Sequence, residues 1–214
     1  MWNAQTNRTS WRVLTEQSRR ALLAHFLALN DEDRRLRFNQ PTRDWTIKHY
    51  VDGIDFERDT VFGVYDSPLT LDGVGHFVTL RDNDRPRAAE LGVSVSQDAR
   101  GRGIGSALLE HAITHARSMQ FHTLWMYFQS DNDAMMRIAR KAGMTIQCAY
   151  GEADAWLALP SADDPIAVLD NHCIKPRGDL YGVSLQCTRE MASGMLQVGT
   201  RLDAGADWPA SNPG

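Results

Sequence analysis

Lysine is scarce in this chain: 3 lysines stand against 20 arginines among 214 residues, and the formal net charge is −4. The sequence therefore lacks the basic excess that marks a nucleic-acid-binding domain, and no nucleic-acid partner is expected. Cysteine is almost as rare. Cys148, Cys173 and Cys187 are odd in number and widely spaced, with no Cys-x-x-Cys or Cys/His metal pattern. Free or buried thiols in a reducing compartment are expected, with no metal. No run of 18 apolar residues occurs, so no membrane partner is expected. Residues 1–12 contain no apolar signal segment, which points to a soluble cytoplasmic protein. Internal repeats and low-complexity tracts are also missing.

What is present is a patterned globular sequence. Hydrophobic residues make up 43% of the chain, enough for one domain of about 150 residues with an appendage. Leu14, Leu22, Phe26 and Leu29 fall on one helical face, which predicts an amphipathic helix over 14–29. Asp31–Arg35 reads as the first turn of a second helix, and 45–54 as a third. Alternation predicts strands over 60–65, 74–80 and 88–95, the last two joined by the turn cluster 82–86 as an antiparallel hairpin. Ile104, Leu108, Ala112 and Ala116 recur every four residues and predict a helix. Strand 123–128, helix 132–142 stopped by Gly143, and strands 144–150 and 155–159 follow. This order is a mixed α/β sheet rather than an even βαβ alternation. Pro160 and the Asp163-Asp164-Pro165 cluster mark a boundary. It divides a domain over 1–160 from an extension over 161–214, partly irregular and net −3, in which 166–174 is a candidate short helix.

The most informative stretch is Ser94–Ala112, SVSQDARGRGIGSALLEHA. A strand ends, Arg100 follows, Gly101, Gly103 and Gly105 alternate with other residues, and a helix begins. The first amides of a helix have no internal acceptor and sit at the positive end of its dipole. Glycines remove the Cβ atoms that keep an anion from such amides. A P-loop is excluded because its lysine is missing. A dinucleotide fingerprint fits poorly, since 96–100 intervene after the strand and Ser106 stands where the third glycine belongs. An Arg-x-x-Gly-x-Gly anion turn and a glycine-rich helix entry without a ligand both remain.

The turn and its surroundings resemble the acyl-coenzyme A site of the GNAT superfamily of N-acetyltransferases. The resemblance runs from about Val61 to Leu159. It includes a second motif, Asn132–Met144 (NDAMMRIARKAGM), similar to the family's Asn-led helix. It implies a GNAT-type fold, a mixed and mostly antiparallel central sheet flanked by helices. It also implies acetyl-CoA as co-substrate, its pyrophosphate on Arg100, Gly101, Arg102, Gly103, Ile104, Gly105 and Ser106. The pantetheine arm would run along Val93 and Val95. Asn132 serves equally well as a contact to that arm or as a helix N-cap.

Acetyl transfer to an amine needs a group that accepts the amine's proton. Strand parity puts Leu91, Val93 and Val95 on one face and Glu90, Gly92 and Ser94 on the other, and the polar face is expected to line a cleft. Ala89–Val95 (AELGVSV) resembles the strand that carries the general base in bacterial protein-lysine acetyltransferases, as Leu36-Arg37-Phe38 and Met135 resemble other parts of that group. This resemblance makes Glu90 the base. His76 shares its face if the hairpin turn centres near 83 or 84, and is the second catalytic candidate, although a packed histidine is the plainer reading. Many family members carry a tyrosine acid where this chain has Ala139, so the acid is unassigned among Ser130, Tyr127 and water. Trp125, Met126 and Phe128 read as core, and His111 and His115 as a solvated pair. The expected activity is acetyl transfer to a protein lysine or a small amine, with a homodimer as a possible arrangement. The other reading is an acyl-CoA-binding sensor or interaction module that has lost turnover.

Overall fold

In the computed structural model, residues 11–67, 70–80 and 87–159 are described. The expected turn 82–86, Cys173, Cys187, the candidate helix 166–174 and the extension 161–214 lie outside the described residues. The elements run β1 (Trp11–Val13), α1 (Arg19–Leu27), α2 (Asp31–Phe38), α3 (Asp44–Asp52), β2 (Thr60–Ser67), β3 (Thr70–Leu80), β4 (Ala88–Val95), α4 (Ile104–Ser118), β5 (Thr123–Gln129), α5 (Asp133–Lys141), β6 (Thr145–Ala149) and β7 (Glu152–Ala158).

Seven strands form one sheet in the order β1-β2-β3-β4-β5-β7-β6, antiparallel throughout except for β4 and β5. The parallel pair is joined by the crossover helix α4, which returns the chain to the end of the sheet where β4 began. Alternation along β2 divides the core into two layers. Phe62 and Val64 join Phe77, Leu91, Leu108, Leu109, Leu124 and Met126 beneath α4 and α5. Val61 joins Leu22, Phe26, Ile47, Val51 and Val74 beneath α1 and α3. The helical spacing holds: Ile104, Leu108, Ala112 and Ala116 are all buried. Truncating a side chain as enclosed as Leu108 to alanine typically costs about 2–5 kcal/mol.

Local chemistry sets the helix ends. Asn30 Oδ1 caps α2 by accepting from the Asp33 amide at 2.8 Å, and Asp31, Glu32 and Asp33 lie in its first turn, at the positive end of the helix dipole. Gly143 follows α5 with φ 75°, a left-handed stop. One expectation is corrected at its start: of the helix placed over 14–29, a 3-10 turn covers Glu16–Ser18 and the α-helix begins at Arg19. Trp11–Val13 pairs with Phe62–Val64 as an edge strand, and the Leu14 amide continues that ladder by donating to the Val61 carbonyl at 2.7 Å. Leu14 is buried by sheet pairing, so its apolar character carries no helical information.

Candidate functional site

The two central strands part company early. β4 pairs with β5 only through Ala88–Glu90 against Thr123–Trp125, while β5 stays paired with β7 as far as Gln129. Beyond Glu90 the edge of β4 is not paired with β5. A cleft of about 480 Å³ opens there, bounded by Val93 and Val95 on β4, the start of α4, Met135 and Ile138 on α5, and Leu29, Leu36 and Arg37 near α1 and α2.

The glycine turn forms one end of this cleft. Gly101 and Gly103 adopt φ of 73° and 81°, and a Cβ on either would meet nothing within 4 Å. Gly103 is the N-cap of α4 in the left-handed conformation. The Ala107 amide is the first to bond back, to the Gly103 carbonyl at 3.0 Å, so the amides of Ile104, Gly105 and Ser106 precede the first intrahelical bond. Gly105 has a different reason to lack a side chain: a Cβ there would lie 2.9 Å from Cδ1 of Ile138, so it lets α5 close against α4.

Of the residues expected to hold a cofactor, Val93, Val95, Arg100, Gly101, Gly103, Ile104, Gly105, Ser106 and Asn132 all line the cleft. Arg102 does not. Its guanidinium pairs with Asp72, 2.9 Å away. Arg100 pairs with Asp33, and Arg137 and Lys141 add positive charge to the lining. Asn132 Oδ1 caps α5 by accepting from the Met135 amide at 3.2 Å. That cap uses only the oxygen, so both sequence readings of Asn132 stand.

The polar face of β4 departs from expectation because the N-terminal helices cover most of it. Ser94 is buried and meets His25 Nε2 at 2.5 Å; His25 Nδ1 lies 2.9 Å from the Leu71 carbonyl and must donate to it, which makes Nε2 the acceptor. A Cβ on Gly92 would stand 2.7 Å from Nη2 of Arg37. Glu90 is half-buried and shares its face with Trp125, its partner on β5. The same face continues to Trp156, whose ring centroid lies 5.3 Å from that of Trp125. Trp125 is therefore on the face opposite the core that takes Met126 and Phe128, which corrects its expected burial.

His76 stands opposite Gly92 and so shares the face of Glu90. It is a packed histidine, with Nε2 3.0 Å from Asp59 Oδ2 and Nδ1 2.6 Å from the Tyr50 hydroxyl. Burial pushes the imidazole below its ordinary range, against the pull of Asp59. The neutral ring then donates from Nε2 to Asp59 and accepts at Nδ1 from Tyr50, whose oxygen accepts from Arg37 Nη2 at 2.9 Å. Sequence reasoning missed Tyr50 and Asp59, which are separated from His76 by 26 and 17 positions. Of Arg37 the only sign was its place in the Leu36-Arg37-Phe38 motif.

His111 and His115 are not solvated as expected. They are half-buried against Phe62, with Trp11 stacked on His111 at 3.5 Å. Among the described residues no group of three or more His, Cys, Asp or Glu is placed to hold a metal. Ala139 is fully buried in α5, so the position of the family's usual acid belongs to the core. No helix among the described residues is long and apolar enough to cross a membrane.

Comparison with known proteins matches this geometry. A mycothiol acetyltransferase of Propionibacterium freudenreichii subsp. shermanii is 28% identical over 120 residues, 56% of this chain and 34% of that protein, so the match spans about a third of its relative's length. The GNAT domain of S. lividans PAT superposes with a TM-score of 0.59 at 20% identity, over 70% of this chain and 89% of that one. Spermidine N-acetyltransferase from Vibrio cholerae, in complex with CoA and spermine, superposes with a TM-score of 0.55 at 16% identity, over 70% and 95%. The acetyltransferase (GNAT) family matches residues 26–144, more than half of the chain. The parted strands, the glycine turn and this match together place the chain in the GNAT acetyltransferase family.

Proposed function

We propose that the chain transfers an acetyl group from acetyl-CoA to a primary amine directly, with Glu90 as general base. The observation that carries the reading is the unpaired edge of β4 running from Glu90 to the bare amides of the glycine turn. Acetyl-CoA, the family's co-substrate, supplies an activated acyl carbon on a good leaving thiolate. The cleft fits it. Val93 and Val95 offer a strand edge to the pantetheine arm. The α4 amides, Arg100, Arg137 and Lys141 face the phosphates. Glu90, at the point where β4 and β5 separate, takes the proton of the attacking amine as the carbon–nitrogen bond forms and the carbon–sulfur bond breaks.

Both a protein lysine and a small amine fit as acceptors. The likeness to the GNAT domain of S. lividans PAT supports the first, and spermine in the Vibrio cholerae complex supports the second. The exposed free thiol of Cys148 supports action in a reducing cytoplasm. Residues 1–160 form the catalytic domain and 161–214 an extension; the described residues that line the cleft run from Leu29 to Lys141. The test is a thiol-release assay on the full chain with a panel of peptides and small amines, run beside calorimetry of CoA binding. Turnover with any primary amine supports the reading. Tight CoA binding without turnover on every acceptor replaces it with the sensor reading, which the buried Ala139 in place of a tyrosine favours.

A further inference from the structure

The arginines of α2 are not alike. Arg34 pairs with Asp44 at 2.7 Å, and Arg35 with Glu32 at 2.7 Å and Asp131 at 2.8 Å. No carboxylate among the described residues pairs with Arg37. Its guanidinium lies 5.5, 5.2 and 5.6 Å from the ring centroids of Phe26, Phe38 and Tyr50. Nη2 donates to the Tyr50 hydroxyl, while Nε is buried with no hydrogen-bond partner. A positive charge held this way has lost much of its water without gaining an anion, which is costly unless a ligand supplies one.

The surroundings hold this cation still and aim it. Arg37 lines the cleft, and Gly92, lacking a Cβ, lets the guanidinium lie against β4. The chain Arg37–Tyr50–His76–Asp59 fixes its orientation and places the only carboxylate of that series at the far end, three hydrogen bonds away. The phosphate turn is not its target. Gly92 lies three residues before Val95, roughly 10 Å along the strand, and Arg37 is thus on the Glu90 side of the cleft. A guanidinium offers two parallel N–H donors that match the two oxygens of a carboxylate.

We propose that Arg37 is a receptor for a carboxylate carried by one of the two reactants. The proposal rests on the acyl-transfer reading for its location. The carboxylate comes either from the acyl group, as in malonyl or succinyl thioesters, or from the acceptor, as in an amino acid whose amine is acylated. In both cases the ligand anion completes a pair that the folded chain leaves open.

Binding decides it without relying on turnover. Calorimetry on the full chain compares malonyl-CoA with butyryl-CoA, of similar length but uncharged, and separately compares amino acids with their primary amides in the presence of CoA. One comparison is expected to show a preference for the carboxylate of roughly ten- to a hundred-fold, the range of a charge-assisted hydrogen bond. The first comparison assigns it to the donor, the second to the acceptor. Arg37→Gln is expected to erase the preference, lowering affinity for the carboxylate-bearing ligand more than for acetyl-CoA. If Arg37→Gln does not fold, Arg37→Lys serves: it keeps the charge but cannot span both oxygens, and most of the preference is expected to go. No preference in either comparison, or one that survives substitution of Arg37, overturns the proposal. If no CoA thioester binds at all, the acyl-transfer reading falls separately. The amino-acid comparison, repeated without CoA, then still decides the carboxylate site.

Discussion

His76 stands directly opposite Gly92 across β3 and β4, so it shares a face with Glu90, two residues along the same strand. Diagonal neighbours of this kind lie about 7–8 Å apart. The two side chains nevertheless have separate surroundings. His76 is enclosed between Asp59 and Tyr50. Glu90 sits half-buried at the divergence of β4 and β5. The division suits a base at Glu90 and a neutral, positioning histidine behind it.

Glu90→Gln is expected to leave CoA binding intact and to lower kcat by about 10²–10⁴-fold at neutral pH. Glutamine keeps the size and the hydrogen-bonding atoms but accepts no proton. The deficit is expected to shrink at high pH, where more of an acceptor lysine, with a reference pKa of about 10.4, is already neutral. A pH–rate profile of both proteins checks this, and full kcat in the variant moves the base elsewhere.

Gly103→Asp is expected to abolish measurable acetyl-CoA binding while the fold survives. Nothing within 4 Å obstructs the new Cβ. Aspartate is among the residues that tolerate the left-handed conformation Gly103 adopts. The added negative charge meets the phosphates at the start of α4. Gly103→Ala is the control, carrying the backbone strain without the charge and expected to weaken binding less. Calorimetry and a thermal melt separate the two effects.

The buried histidines predict a loss of stability in mild acid. Burial lowers the imidazoles of both His25 and His76 from the ordinary 6.5. Below about pH 6.5 the unfolded chain therefore binds more protons than the folded one, and stability falls as the pH drops. The loss continues until the folded-state imidazoles themselves protonate, at up to about 1.4 kcal/mol per pH unit for each group. Tm measured from about pH 8 to pH 5 is expected to decline, and His76→Gln to flatten the decline. An unchanged slope in that variant would show that His76 titrates alike in both states.

Restoring the family's tyrosine is expected to fail as a repair. Ala139 has no exposed surface and packs in the layer beneath α4 and α5. A phenol there overfills the core, at a cost of roughly 1–3 kcal/mol or more. Ala139→Tyr is expected to lower Tm without raising kcat. An increase in kcat would show that the ring reaches the cleft.

Much of this protein was legible in one dimension. The α4 stripe, the β3–β4 hairpin, the cap and stop of α5 and the glycine turn are local patterns, because period, capping and φ are properties of neighbouring residues. Nine of the ten residues expected at the cofactor line the cleft for the same reason: eight form one continuous strand-turn-helix stretch, and the ninth, Asn132, caps the next helix. Arg102 escaped because its direction depends on Asp72, thirty positions earlier on β3.

What no local pattern contained is the packing of α1–α3 across the strands. That packing buried the polar face of β4, assigned Ser94 to His25, and joined Arg37, Tyr50, Asp59 and His76 from four separate segments. The outward face of Trp125, by contrast, follows from strand parity, which sets it opposite Leu124, Met126 and Phe128. Sequence determined which residues are helical, extended or able to bind an anion. Which charges are left without partners was decided only in three dimensions, because pairing is a matter of distance between side chains and the chain brings those side chains together only on folding.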